Sequence, residues 1–186
     1  RQRGLGDVYK RQAYYNGWLG GCFCSSLFCF APDGTIIFAT LNFPGSWSDG
    51  ELAKQLYAIL ARLPPGYSIA ADSAFTRADM ADKIIRPLKS DEMERLQASV
   101  SVSAFIASVK RHRLALSVRQ SAEWGMGSMQ SMCGRLQHRL PAKLKPLRLL
   151  LDLCTHYFNF RTRTVGFNQI RTVYSPRRQL GPQLLP

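Results

Sequence analysis

The sequence predicts an α/β fold in which a mixed sheet is flanked by helices. Three observations carry that expectation. Two apolar runs, Trp18–Phe30 and Thr35–Asn42, flank the turn Ala31-Pro32-Asp33-Gly34 and read as a hairpin. A third apolar run, Tyr67–Ala71, comes after Pro64-Pro65-Gly66 and stops at a carboxylate, Asp72. Beyond residue 78 apolar residues recur at helical spacing, so the order reads strand, strand, helix, strand and then helices.

Taken in order, residues 1–12 are charged, Gly-rich and unlike the rest of the chain, and are set aside as linker-like. The folded domain is expected over 13–176, with a basic, Pro-containing tail over 177–186. Trp18–Phe30 is expected to be a strand buried on both faces. Ser48 and Glu51 stand three apart, as in a capping box, and open a helix carrying Leu52, Leu56, Ile59, Leu60 and Leu63 up to Pro64. Ala78–Ile85 is expected to be a short helix ended by Pro87. Ser90-Asp91-Glu92 opens a longer one running to about Lys110. Leu114–Leu136 and Leu144–Phe160 read as two further helices, the first weakened by Gly125 and Gly127. The tail from Gly166 reads as irregular.

The 186 residues suit one domain, and the net charge of +13 is its strongest compositional feature. Basic and acidic residues nearly cancel up to Arg95. Beyond it only Glu123 and Asp152 oppose fourteen Lys and Arg. That lopsidedness points to a polyanionic partner, most simply DNA or another nucleic acid, and the plainer reading is a basic face kept for solubility. Five cysteines with no C-x-x-C spacing read as small buried hydrophobes in a reducing compartment, not as a zinc or disulfide frame. The longest uncharged run, Ala13–Pro32, is broken by glycines and serines and reads as no membrane span.

Three acids are candidate metal ligands: Asp49 at a helix start, Asp72 at a strand end and Glu123 on a helix. A hard divalent cation such as Mg²⁺ takes oxygen ligands and keeps several waters, so a few carboxylates plus a phosphate suffice to hold it. A paired-ion site of that kind activates water in phosphodiester cleavage. Each acid also has a plainer reading: Asp49 as a cap or turn residue, Asp72 as an N-cap, and Glu123 as a solvated partner of Arg119 four positions earlier. His112, His138 and His156 lie far apart and read as packing or surface residues, and Met126, Met129 and Met132 as core. Ser46, Ser48 and Ser73 have no local His, which leaves a hydrolase triad without support. The RNA-binding alternative has neither an RNP-like aromatic run nor a Gly-x-x-Gly clamp behind it.

Five segments carry a resemblance. Tyr14-Tyr15-Asn16-Gly17-Trp18, Asn42 through Asp49, Ala71-Asp72-Ser73-Ala74-Phe75, Arg119 through Met126, and Asn159-Phe160-Arg161-Thr162-Arg163 resemble the DDE superfamily endonuclease domain of Harbinger-type transposases, fungal members above all. The resemblance implies a ribonuclease H-like fold and a nuclear enzyme that cuts DNA and transfers strands. Its Asp-Asp-Glu set would bind Mg²⁺ or Mn²⁺. By motif, Asp72 and Glu123 are its catalytic acids and metal ligands, and Asp49 lies near the metals. The family's first Asp, on a strand before Tyr14, has no counterpart here, so the chain is expected to be an incomplete catalytic domain. Lys110, Arg111, Arg113 and Arg119, near Glu123, are expected to hold DNA phosphates. A separate DNA-binding partner protein would read the target sequence. The competing expectation is a domesticated or decayed relative that binds DNA or protein without cutting.

Overall fold

A computed structural model describes residues 12–138, 140, 144–166 and 168–174. Most of the linker-like segment 1–12 and the tail 177–186 lie outside the described residues. The described fold mixes small sheets with helices: β1 Tyr15–Asn16, β2 Gly21–Cys22, β3 Cys24–Phe30, β4 Ile36–Pro44, helices α1 Asp49–Leu52 and α2 Lys54–Leu60, β5 Ile69–Ala70, β6 Ile84–Ile85, then α3 Ser90–Ser99, α4 Val102–Met132, α5 Leu144–Val165 and α6 Gln169–Tyr174. The residues divide into two compact units. One comprises residues up to Phe28 with Phe38–Ala122; the other comprises Cys29–Ile37 with the residues from Glu123 on.

In the first unit the expected long strand Trp18–Phe30 is split. Residues 15–22 form a two-rung antiparallel ribbon, Tyr15 opposite Cys22 and Asn16 opposite Gly21, with Trp18 wholly exposed in its turn. Gly17, Gly20 and Gly21 interrupt the extended run, and β3 begins only at Cys24. The strand is half-buried throughout instead of buried on both faces. Cys22 is likewise exposed, whereas Cys154 in the second unit is buried as expected of a small hydrophobe.

The helix after Ser48 forms as two short pieces meeting at Ala53. Ser48 Oγ accepts the Glu51 N–H at 3.3 Å, one half of the expected capping box. The buried stripe is Leu52, Ala53, Leu56, Tyr57 and Leu60. Tyr57 takes a core position and Ile59, off the stripe, is exposed.

Two expectations in this unit are corrected. Ala78–Ile85 is not a helix: a single 3-10 turn, Ala78–Met80, leads into β6, which pairs in parallel with β5. The β-branched Ile84-Ile85 aligns with Ile69-Ala70, and Lys83 C=O accepts the Ile69 N–H at 2.8 Å. Lys83 is itself buried, its ammonium donating to the Leu63 and Pro64 carbonyls (both 2.9 Å), so its donors are met by backbone acceptors. Nor do the hairpin and the Asp72 strand share one mixed sheet; the described strands form three two-stranded sheets.

Helix α3 ends at Ser99, well short of Lys110, and α4 then runs without interruption through residues expected to separate two helices. Glu92 carboxylate accepts the Lys89 N–H at 2.9 Å, closing the start of α3, and grips Arg86 at 2.6 and 2.7 Å. Both interactions hold the Glu92 carboxyl down to about 2, the Arg86 hydrogen bonds contributing most. His112 plays the structural part expected of it, its Nδ1 accepting the Leu88 N–H at 3.0 Å.

The second unit packs Ile36, Met129, Leu147, Leu151, Cys154, Phe158 and Ile170. Of the three methionines expected in a core, Met129 is buried and Met126 exposed. The turn forms as expected: Gly34 sits at φ 86° and Asp33 Oδ1 accepts both Thr35 N–H (2.9 Å) and Thr35 Oγ1–H (2.7 Å). Asn159 on α5 treats Ile36 as a strand neighbour would, accepting its N–H at 2.7 Å and donating to its C=O at 2.8 Å. Beyond Gly166, expected to be irregular, Gln169–Tyr174 is a helix. Asn168 starts it by accepting the Arg171 N–H, while its amide nitrogen donates to Asp33 C=O at 2.9 Å.

Candidate active site

The strand that leads to Asp72 is short, because only Ile69 and Ala70 pair with β6. Its core placement is weaker than expected: Tyr67 is 63% exposed and Ile69–Ala71 are half-buried. At the strand end the chain turns into the 3-10 turn Ser73–Phe75, and Asp72 is its N-cap, Oδ1 accepting the Ser73 N–H at 2.6 Å. The capping reading of Asp72 is therefore borne out. Its other oxygen, Oδ2, lies 3.3 Å from Arg119 Nη1 on α4. Both side chains keep about half their surface in water, at 54% and 41%. Arg119 Nε, by contrast, is buried with no hydrogen-bond partner among the described residues.

Asp49 is the first residue of α1, in the turn capped by Ser48, and is exposed. Helix α1 packs against the 3-10 turn that Asp72 caps, so the fold brings these two segments together. Helix α2 adds to this region a residue that sequence reasoning missed. Tyr57 donates its hydroxyl to the Phe75 C=O at 3.1 Å, and the Arg77 guanidinium lies over its ring at 4.9 Å. Arg77 is in turn held by Asp79 through two hydrogen bonds of 2.9 and 2.8 Å. Burial raises the Tyr57 hydroxyl pKa; Arg77 opposes that shift and Asp49 and Asp79 reinforce it. The signal for Tyr57 was present at a helix position four residues after Ala53, but the surrounding leucines read as core.

Glu123 is exposed on the last third of α4, which belongs to the second unit. Gly125, two residues on, is buried, and a Cβ there would meet the Phe30 ring at 2.6 Å. The glycine thus lets the Phe30 ring of β3 pack closely against α4. Lys110, Arg111 and Arg113 are exposed on α4 in the first unit, and none enters an ion pair among the described residues. Of the four expected phosphate-holding residues, Arg119 alone is engaged, by Asp72.

Three acids were expected to crowd one divalent ion. Among the described residues no group of three or more His, Cys, Asp and Glu side chains is placed to hold a metal. Asp72, the natural centre by its strand-end position, has one oxygen on a backbone N–H and the other facing a guanidinium. As arranged, these residues do not fit a divalent cation.

A family model described as DDE superfamily endonuclease matches residues 5–159. The chain belongs to that family. No curated protein and no solved structure matches it. The matched span begins inside the segment set aside as linker-like and ends at Asn159, the residue that pairs with Ile36. This DDE endonuclease domain therefore carries its family's identity across both units. Endonucleases of the superfamily act on DNA and generally use divalent metals. No helix among the described residues is long and apolar enough to cross a membrane.

Proposed function

We propose that this DDE endonuclease domain is the DNA-cleaving part of a Harbinger-type transposase, built on a ribonuclease H-like fold and working in the nucleus. The observation that carries the reading is the family match over residues 5–159, which spans the strand-end Asp72 and the helical Glu123. The charge of +13, concentrated after Arg95, supports DNA as the partner. Lys110, Arg111 and Arg113, exposed along one helix, suit contact with backbone phosphates; such contacts position a duplex without reading its sequence. Reading of transposon ends would fall to a separate DNA-binding protein. The acids proposed for chemistry are Asp72 and Glu123, with Asp49 as a third proposed ligand and Mg²⁺ or Mn²⁺ as the ion, which Asp72 takes only if Arg119 lets go.

A second reading is favoured by a specific observation. Asp72 is spoken for by Ser73 and Arg119, and no three-acid group forms among the described residues. That arrangement suits a domesticated or decayed relative that binds DNA or protein without cutting it. Nicking of supercoiled plasmid with Mg²⁺ or Mn²⁺ separates the two. The nuclease reading expects nicks that vanish in Asp72→Asn and Glu123→Gln. Retained plasmid binding with no nicking, in this chain and in an upstream-extended form alike, assigns the binding role and defeats the nuclease.

A further inference from the structure

The two motif segments Tyr14–Trp18 and Asn42–Asp49, 29 residues apart at their point of contact, are stitched together. Asn16 Nδ2 donates to Gly45 C=O at 3.0 Å, while Asn16 Oδ1 accepts the Trp18 and Leu19 N–H groups at 3.0 and 3.2 Å. Ser46 Oγ donates to Ala13 C=O at 2.6 Å, and Phe23 N–H to Tyr14 C=O at 2.8 Å. Gly45 is buried against this ribbon, and a Cβ there would run into the Phe23 and Tyr14 carbonyls. Asn42, in β4 just before this contact, takes the left-handed φ of 62°.

Between the two segments lies an open groove of about 360 Å³, lined by Tyr15, Asn16, Trp18, Gly45, Trp47 and Ser48 among others. That volume falls within the roughly 300–1,000 Å³ usual for small-ligand sites. Its chemistry is narrow. The polar side-chain atoms of Asn16 and Ser46 are spent on the walls, and three of the lining residues, Tyr15, Trp18 and Trp47, are aromatic. Trp18 is 100% exposed, Tyr15 51% and Trp47 42%, the last tilted against Phe43 at 5.0 Å. Three exposed aromatic rings with no carboxylate among the lining residues select a flat, π-faced guest. Ser48, at the groove's edge, caps the helix that begins with Asp49.

We propose that this groove takes an unpaired nucleobase of the DNA on which the domain acts, stacked on Trp18 next to the acidic helix start. The proposal rests on the DNA reading above and adds a subsite to it. Every base offers a π-face, so stacking of this kind tolerates sequence and complements phosphate contacts made elsewhere on a basic chain. An unstacked base is also the form in which enzymes that work on DNA reach atoms hidden in a duplex.

The test compares the full chain on two labelled duplexes, one fully paired and one with a single bulged 2-aminopurine, by anisotropy and by 2-aminopurine quenching. The expected result is tighter binding and quenching of the bulged duplex. Trp18→Ala should weaken that binding roughly 5- to 100-fold and leave the paired duplex unchanged, with Trp18→Phe retaining most of the preference. Trp18 is wholly exposed, so its replacement does not threaten folding. Equal affinity for the two duplexes, or a preference that survives Trp18→Ala, overturns the proposal while leaving DNA binding standing. Quenching of the indoles by an oligosaccharide or an aromatic peptide, but not by the bulged duplex, gives the groove to another guest and overturns it as well. Failure of the chain to bind either duplex at low salt removes the DNA reading itself.

Discussion

Arg119 Nη1 lies 3.3 Å from Asp72 Oδ2, which joins helix α4 to a strand end 47 residues earlier. The pair sets a cation of the chain's own against the carboxylate on which a metal reading depends. Because both groups are about half exposed, the attraction is shared with water. A double-mutant cycle with Arg119→Gln and Asp72→Asn, read by urea unfolding, is expected to give a coupling of about 0.2–1 kcal/mol. A coupling of several kcal/mol would mean a dry pair and refute the solvated one. Mn²⁺ titration followed by electron paramagnetic resonance checks the consequence: Arg119→Gln should bind the ion more tightly than the parent chain.

Glu92 sets a pH dependence whose sign is defined. Arg86 and the Lys89 N–H hold its carboxyl down to about 2 in the folded chain, below its usual value of 4.5. A depressed acid contributes stability above its unfolded pKa and loses it as pH falls through the folded one. Thermal unfolding should therefore show a loss between about pH 4.5 and about pH 2 that Glu92→Gln lacks, the variant being less stable at neutral pH. Asp33 adds to the same trend. Burial pushes its pKa up, but the hydrogen bonds from Thr35, with Arg163 and Arg171 nearby, outweigh that and bring it down.

Asn159→Ala removes both side-chain partners of Ile36, a buried residue whose N–H and C=O bond to them at 2.7 and 2.8 Å. Leaving such groups unsatisfied costs about 1–3 kcal/mol. Urea denaturation checks it. Asn159→Asp keeps the acceptor but turns a carboxylate oxygen toward the Ile36 carbonyl, and should also destabilise.

Two glycine substitutions are expected to move stability in opposite directions. Gly45→Ala drives a methyl into backbone carbonyls and should cost about 1–3 kcal/mol. Gly127→Ala, exposed in α4 with nothing within 4 Å of the added carbon, should gain about 0.5–1 kcal/mol from helix propensity. Thermal melts of the two variants measure both.

Replacing Lys110, Arg111 and Arg113 by Gln should weaken duplex binding equally across sequences. Each lost phosphate contact should reduce the slope of log affinity against log salt by about 1. Unchanged slopes in anisotropy titrations would move the phosphate-binding surface elsewhere.

Much of this was legible without coordinates, and the physical reason is range. Pro32-Asp33-Gly34 makes its turn through bonds among four neighbours, and Ser48 and Glu92 open their helices through bonds spanning three residues. Asp72 caps a turn with the very next N–H. The excess of cations after Arg95 is a property of composition and needs no fold. Where local signals misled, a competing contact won: Ile84-Ile85 reads as part of a helix by spacing, yet pairs with Ile69-Ala70 because a β-branched pair completes that edge. The apparent break near Lys110 is overridden as the continuous helix α4 buries Ala115 and places His112 against Leu88.

By itself, then, the chain's order of residues determined its turns, its caps, the basic half and the position of Asp72 at a strand end. Only the tertiary structure decided that Arg119 faces Asp72, that Asn159 completes Ile36, and that Asn16 grips Gly45 to frame an aromatic groove. Those partners stand 47, 123 and 29 residues apart, and such a pairing depends on the path of everything between them.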